Sequence, residues 1–336
     1  MKWIHVAGEA ANTRVWTELF CRELATLGDF EIIENAGAMP EDVLLVRLRE
    51  ADVLLGSWGS LRIPDALAAN PGRVRYLCCV TGSVRGFVSA AHIAAGLAVT
   101  NWGDQSAHPI AEGAVCLLLA VLKGLHANIV SIRDGGGVGT PHRGGGTLRG
   151  LHIGIYGFGV IGRRFAELVR PFGCVLRVYD PFVTDFPDYV TPVSSLDALF
   201  GASEAVSIHA GLTDATRNTV TADLLALLPD HGIVINTARG DIVDQAALFR
   251  ELECGRLRAG LDVLAEPEHL PADHPARQWP NLIWTCHDIE REWPTNGQAH
   301  QKLHAMHEIC LDNVKRFRDG QPLRFMMDSH RFDLST

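Results

Sequence analysis

The chain has no cysteine pair at CxxC spacing, no histidine cluster at metal-ligand spacing, and no apolar run near the ~20 residues that a membrane-spanning helix needs. Its eight cysteines (Cys21, Cys78, Cys79, Cys116, Cys174, Cys254, Cys286 and Cys310) are scattered, most of them in apolar stretches. They read as reduced core thiols of a cytoplasmic protein, with neither a metal site nor a disulfide framework expected. The longest apolar run, Ala114–Leu122, suits a buried helix. Basic residues are in deficit: 30 Lys and Arg against 39 Asp and Glu leave a formal charge of −9. Without a Lys/Arg block, a nucleic-acid or anionic-membrane partner is not expected, and a small molecule is. The opening MKWIHVAGEA lacks the charged n-region and longer apolar core of a signal peptide.

What is present is core material: 336 residues at 47% hydrophobic composition, a length at which one core usually divides into two domains. In the first hundred residues, strand-like runs at Trp3–Ala7, Val53–Leu55, Arg75–Val80 and Leu97–Thr100 alternate with helical patterns at Arg14–Leu27 and Pro64–Ala69. That alternation predicts a parallel α/β sheet. One long helix is expected over Pro109–Ser131, then a glycine-rich loop over Asp134–Gly146. A second α/β run has strand cores at His152–Tyr156, Leu176–Tyr179, Ala205–His209, Ile233–Asn236, Ala259–Val263 and Leu282–Thr285. Six strands with intervening helices match a complete doubly wound dinucleotide fold. The helical tail Gln298–Phe317 is expected to return to the first sheet. The predicted class is therefore α/β with two doubly wound parallel-sheet domains. A Rossmann nucleotide domain (104–297) is inserted in a flavodoxin-like substrate domain (1–103 plus 298–336).

The strand LHIGIYG leads into Gly157-Phe158-Gly159-Val160-Ile161-Gly162, and a helical pattern follows. In this context each glycine serves a separate purpose. Gly157 permits the tight turn, Gly159 lets backbone approach a pyrophosphate, and Gly162 lets the helix pack on its strand. The next strand ends at Asp180, whose carboxylate can accept from a ribose hydroxyl and repel a 2′-phosphate, which favours NAD over NADP. Arg163 and Arg164 pull the other way. His209, Thr237, Ala238 and Asp262, at or just past strand ends, join the cofactor-facing candidates together with Arg239 and His287.

Asn236-Thr237-Ala238-Arg239-Gly240 closes a strand, so Arg239 should emerge at the carboxyl edge of the sheet, where a guanidinium can clamp a carboxylate. Thr285-Cys286-His287 closes another, bringing to the same edge an imidazole able to carry the proton of a hydroxyl that becomes a carbonyl. In the outer domain, the turns Gly56-Ser57-Trp58-Gly59-Ser60 and Thr81-Gly82-Ser83-Val84-Arg85-Gly86 could offer backbone N–H groups to a carboxylate. His108 and Trp102 read as packing residues.

The ordered set NTARGDIVDQAAL, AGLDV with an acidic loop and LPADHP, and NLIWTCH resembles the D-isomer-specific 2-hydroxyacid dehydrogenase family over roughly residues 50–320. The resemblance implies an NAD-dependent enzyme interconverting a small 2-hydroxy acid and its 2-oxo acid. Arg239 would bind carboxylate and carbonyl, His287 would act as acid/base with a Glu partner, and Ser57, Trp58, Thr81, Gly82 and Ser83 would contact substrate. It also implies a homodimer built from nucleotide domains. The run LDVLAEPEHLPADHP is one residue longer than the family spacing up to LPADHP. Counting by the Glu-Pro pair selects Glu266 and counting back from LPADHP selects Glu268; the retained proline favours Glu266. After His287 the family's small, glycine-containing stretch is replaced by Asp288, Ile289 and Glu290, which leaves the roles of these two carboxylates open. Two other functions share the fold: a formate-type dehydrogenase, against which the acid beside the proline speaks, and an NAD-sensing binding protein.

Overall fold

The computed structural model describes residues 1–138, 145–285, 287–289 and 303–334. Cys286, Glu290, part of the glycine-rich loop and the start of the expected tail helix lie outside the described residues. The chain forms two compact units: one from Met1–Ser106 with the described part of Trp293–Thr336, the other from the described part of Ala107–Glu292.

In the first unit, strands β1 (Lys2–Val6), β2 (Asp29–Ile33), β3 (Val53–Gly56), β4 (Tyr76–Cys79) and β5 (Ala98–Thr100) alternate with helices α1 (Glu18–Leu27), α2 (Glu41–Leu48), α3 (Ala66–Ala69) and α4 (Ala90–Ala94). The sheet is parallel with order β2-β1-β3-β4-β5, the doubly wound order of a flavodoxin-like sheet. Successive side chains point to opposite faces. Ile4, Leu54 and Leu77 therefore enter one core while Trp3, Leu55 and Tyr76 enter another. β3 and β4 are buried at every position, as a sheet covered on both faces requires.

The second unit opens with α5 (Ala107–Leu122) and α6 (Leu125–Arg133), then runs β6 (His152–Tyr156), α7 (Val160–Val169), β7 (Val175–Tyr179), β8 (Val190–Pro192), α8 (Leu196–Gly201), β9 (Ala205–Ile208), α9 (Ala222–Ala226), β10 (Ile233–Asn236), α10 (Gln245–Glu253), β11 (Arg258–Leu261) and β12 (Leu282–Trp284). Its seven parallel strands are ordered β12-β11-β10-β9-β6-β7-β8. Two helices, α11 (Ala305–Arg318) and α12 (Ser329–Leu334), belong to the first unit, where Cys310, Leu311 and Val314 of α11 are buried with Trp3 and Tyr76.

The predicted single helix over 109–131 is in fact two helices that bend by 56°. Gly124, at φ 61, breaks them, because a left-handed residue cannot continue a right-handed helix. Among the described residues no single helix is long and apolar enough to cross a membrane. The strands β2 and β8 were not predicted; both lie at sheet edges, where Asp29 and Glu31 in one and Pro192 in the other interrupt an apolar run.

Candidate functional site

β6 delivers the chain to Gly157 at φ 91, a left-handed turn where a Cβ would lie 2.5 Å from the Ala210 backbone nitrogen. At Gly162 a Cβ would stand 2.1 Å from the Gly157 carbonyl oxygen, so only glycine allows α7 to sit this close to the strand. Gly159, between them, faces open space. The result is a bare backbone cradle at the N-terminus of a ten-residue helix, the arrangement that suits a phosphate. Asp180 braces it: Oδ2 accepts from the Phe158 N–H at 2.7 Å and Oδ1 from the Phe182 N–H at 2.9 Å. Arg163 lies over the Phe158 ring at 4.7 Å, and Arg164 donates to His108 Nδ1 at 2.7 Å, so both guanidiniums are already engaged.

Two buried polar atoms near the strand ends have no partner among the described residues, Thr237 Oγ1 and His209 Nδ1. Burial pushes the His209 imidazole down to about 3, which keeps it neutral. A glycine cradle followed by buried atoms that lack partners fits a dinucleotide, whose polar groups would satisfy them.

At the carboxyl edge, Asn236 builds the turn that presents Arg239. Its Oδ1 accepts from the Ala238 N–H at 3.0 Å and its Nδ2 donates to the Arg239 carbonyl at 2.9 Å. Gly240 permits close approach to the next loop, since a Cβ there would fall 1.9 Å from the Leu264 carbonyl carbon. Buried Asp262 organises the segment after β12: its Oδ1 accepts from Thr285 Oγ1 at 2.6 Å and from the Asp288 and Ile289 N–H groups at 3.1 and 3.2 Å. Within that segment His287 Nδ1 meets Glu268 Oε2 at 2.9 Å. The imidazole is 44% exposed and the carboxylate 25%. Both residues adopt positive φ, 56° for His287 and 50° for Glu268, conformations that side chains other than glycine rarely take and that cost on the order of 1 kcal/mol each.

The loop register thus differs from the favoured count by the Glu-Pro pair. Glu266 is exposed, whereas Glu268 reaches the histidine. A turn closed by the Glu268 N–H on the Ala265 carbonyl at 2.9 Å absorbs the extra residue, and buried Leu270 anchors the loop on its far side. An exposed proline fixes no register; a buried leucine does.

In the first unit the two candidate turns differ. Ser57 Oγ accepts from Trp16 Nε1 at 2.8 Å and the Ser57 N–H donates to Ser60 Oγ at 2.7 Å, so the hydroxyl and amide of Ser57 are both already engaged by protein groups. Thr81 is buried, Gly82 packs beneath the Trp102 indole, and the Gly82, Ser83 and Val84 N–H groups carry no hydrogen bond among the described residues. Trp58, 43% exposed, meets Trp102 edge-on at 5.7 Å. Asn236 was read only as the end of its strand, with no role of its own; an Asn at a strand end, two residues before a turn amide, is the signature that would have marked it as the turn's brace.

The family model described as D-isomer specific 2-hydroxyacid dehydrogenase, NAD binding domain, matches residues 115–288. The hydroxypyruvate reductase of Thermotoga maritima is 36% identical over 200 residues, 57% of this chain and 63% of that protein. The D-3-phosphoglycerate dehydrogenase of Methanocaldococcus jannaschii is 27% identical over 296 residues, 86% of this chain and 54% of that protein. The chain thus spans less than two thirds of these relatives' length. An NADPH-dependent glyoxylate/hydroxypyruvate reductase from Sinorhizobium meliloti, solved with NADP and malonate, superposes with TM-score 0.75 at 22% identity, covering 100% of this chain and 98% of that one.

Proposed function

The chain belongs to the D-isomer-specific 2-hydroxyacid dehydrogenase family, and from that premise we propose that it interconverts a small 2-hydroxy acid and its 2-oxo acid with NAD as hydride carrier. The observation that carries the reading is the 2.9 Å contact between His287 and Glu268 at the edge where Arg239 emerges. A carboxylate only accepts, so His287 Nδ1 holds a proton and Nε2 is the free base of the neutral ring. In the oxidising direction Nε2 takes the hydroxyl proton, the C2–H bond breaks as hydride, and the C2–O bond becomes a carbonyl. Glu268 stabilises the imidazolium so formed. Arg239 holds the substrate carboxylate with its planar fork. When bound, the nicotinamide supplies the hydride acceptor.

NAD is chosen over NADP because Asp180 lies at the end of β7, where its charge opposes a 2′-phosphate, and because Arg163 and Arg164 are occupied by protein groups. A homodimer belongs to the same proposal: Leu125, Ile129 and Ile132 leave an apolar face of α6 exposed in the nucleotide-binding unit. So does a cytoplasmic setting, which rests on the scattered cysteines. Turnover of a panel of 2-oxo acids with NADH and with NADPH tests the reading. Reduction of at least one short 2-oxo acid, faster with NADH, is expected. Cofactor binding without turnover across the panel would point instead to an NAD sensor.

A further inference from the structure

Glu268 and His287 lie on separate stretches of chain, one in the loop after β11 and the other just past β12, so their contact depends on what holds that loop to that strand. The Arg277 side chain reaches both. Its Nε donates to the Pro271 carbonyl at 2.8 Å and its Nη2 to the Leu270 carbonyl at 2.6 Å, which pins the loop just beyond Glu268. Its guanidinium carbon stands 5.4 Å from the centre of the Trp284 ring, on the last residue of β12. A planar fork can bridge two carbonyls and lie on an indole at once, which an ammonium cannot do.

We infer that Arg277 is a positioning residue that sets the distance and angle between Glu268 and His287. The inference rests on the reading of those two residues as the acid/base pair. Three features support a role beyond general stability. Arg277 is exposed, so its removal leaves the core intact. The groups it joins lie close in sequence to the two members of the pair: Leu270 and Pro271 follow Glu268 by two and three residues, and Trp284 precedes His287 by three. Both members have backbones in the left-handed region, which persist only where their surroundings over-determine them. Buried Leu270 holds one end of the loop; Arg277 holds the direction in which Glu268 points.

The test is a double-mutant cycle in kcat with Arg277→Gln, Glu268→Gln and the pair, and with Arg277→Lys as the conservative variant. Arg277→Gln should lower kcat about fivefold, within the coupling range of residues that share one network, and leave the KM for NADH unchanged. Arg277→Lys keeps the charge over Trp284 and should recover part of the loss. In the Glu268→Gln background the same Arg277 change should cost less than about twofold, because the contact it supports is already gone. An equal loss in both backgrounds overturns the inference, and so does an unchanged kcat in Arg277→Gln. Hydrogen exchange gives a second measurement: amides of the Glu268–Leu270 stretch should exchange faster in Arg277→Gln, and unchanged exchange would also overturn it. A wild-type kcat in Glu268→Gln alone, with Arg277 intact, would refute the acid/base pair itself, and the inference with it.

Discussion

In the five-stranded sheet the strand order reverses between β1 and β3, and in the seven-stranded sheet between β6 and β9. Open α/β sheets bind ligands at such reversals, yet only one of these is left open. Past the end of β1, the Gly8 N–H donates to the Gly59 carbonyl, the Leu61 N–H donates to the Val6 carbonyl, both at 3.0 Å, and Ala7 pairs with Ser60 in an antiparallel bridge. The chain then wanders to Glu18 before a helix begins. Past β6, Gly157–Gly162 turns directly into α7, and the helix N-terminus faces a gap with no side chain across Gly159. The same topology offers two crevices; the turn that leaves the first strand of each decides which one can take a phosphate.

If the second sheet carries the chemistry, its edge should be where the largest loss is found. His287→Ala should reduce kcat/KM by roughly 10²–10⁴, the worth of a positioned general base, while a fluorescence titration shows NADH affinity nearly unchanged. A loss of NADH binding instead would mean that His287 serves the cofactor. The two reversals can then be compared directly by adding one methyl to each. Gly162→Ala puts a Cβ 2.1 Å from a backbone oxygen, so chemical denaturation should show a loss of about 3 kcal/mol with weakened NADH binding. Gly8→Ala puts its Cβ at 3.3 Å from the Gly59 oxygen, where a small shift suffices; a loss under about 1 kcal/mol and unaltered NADH binding are expected. Equal effects at the two sites would erase the distinction between an open and a sealed crevice.

The same contrast explains how much of the molecule was legible. Central strands such as His152–Tyr156 and Ile233–Asn236 stand at the predicted bounds because a strand buried on both faces is apolar over its interior. β2 and β8 escaped because Asp29 and Glu31 in one and Pro192 in the other interrupt the apolar run, which the other edge strands, β5 and β12, keep. At the site, glycines and strand-end residues were readable because backbone geometry dictates them. The choice between Glu266 and Glu268 was not, since the contact of Glu268 with His287 depends on how the loop folds in three dimensions. Nor could the spending of Ser57 on Trp16, 41 residues away in sequence, be read from the turn that contains it.

The two units should also part company in acid. Burial lowers His5 and His307 of the first unit to about 4, with His92 lowered in the same direction, and lowers His209 of the second to about 3. Each is neutral when folded and protonates at about 6.5 when unfolded, so the stability it contributes is complete above that value and is lost as pH falls toward the folded one. Between pH 7 and pH 5 each of the three strongly lowered groups should withdraw about 2 kcal/mol. The first unit has two of them and the second one, so slow-exchanging amides of β1 and β3 should lose more protection than those of β6 and β9, by about 2 kcal/mol. Equal losses would show that the buried histidines do not govern acid stability.

The smallest difference concerns two glutamates on one loop. Glu268 Oε2 holds His287 Nδ1, so Glu268→Gln removes a charge-assisted hydrogen bond and should lower kcat/KM about tenfold, the lower end of what such a bond is worth. The amide can also turn its NH₂ toward Nδ1, which would favour the wrong ring tautomer and add to the loss. Glu266 is exposed and the loop fold does not use its side chain, so Glu266→Gln should stay within about twofold, as surface charges usually do. Steady-state kinetics on the two variants, measured with the same 2-oxo acid, separate the registers. A larger effect at position 266 would mean that the loop is rearranged when cofactor and substrate bind, bringing the residue beside the proline to the imidazole and releasing Glu268. That outcome would also sever the link from Arg277 to the site, because the carbonyls Arg277 holds belong to Leu270 and Pro271, on the Glu268 side of the loop.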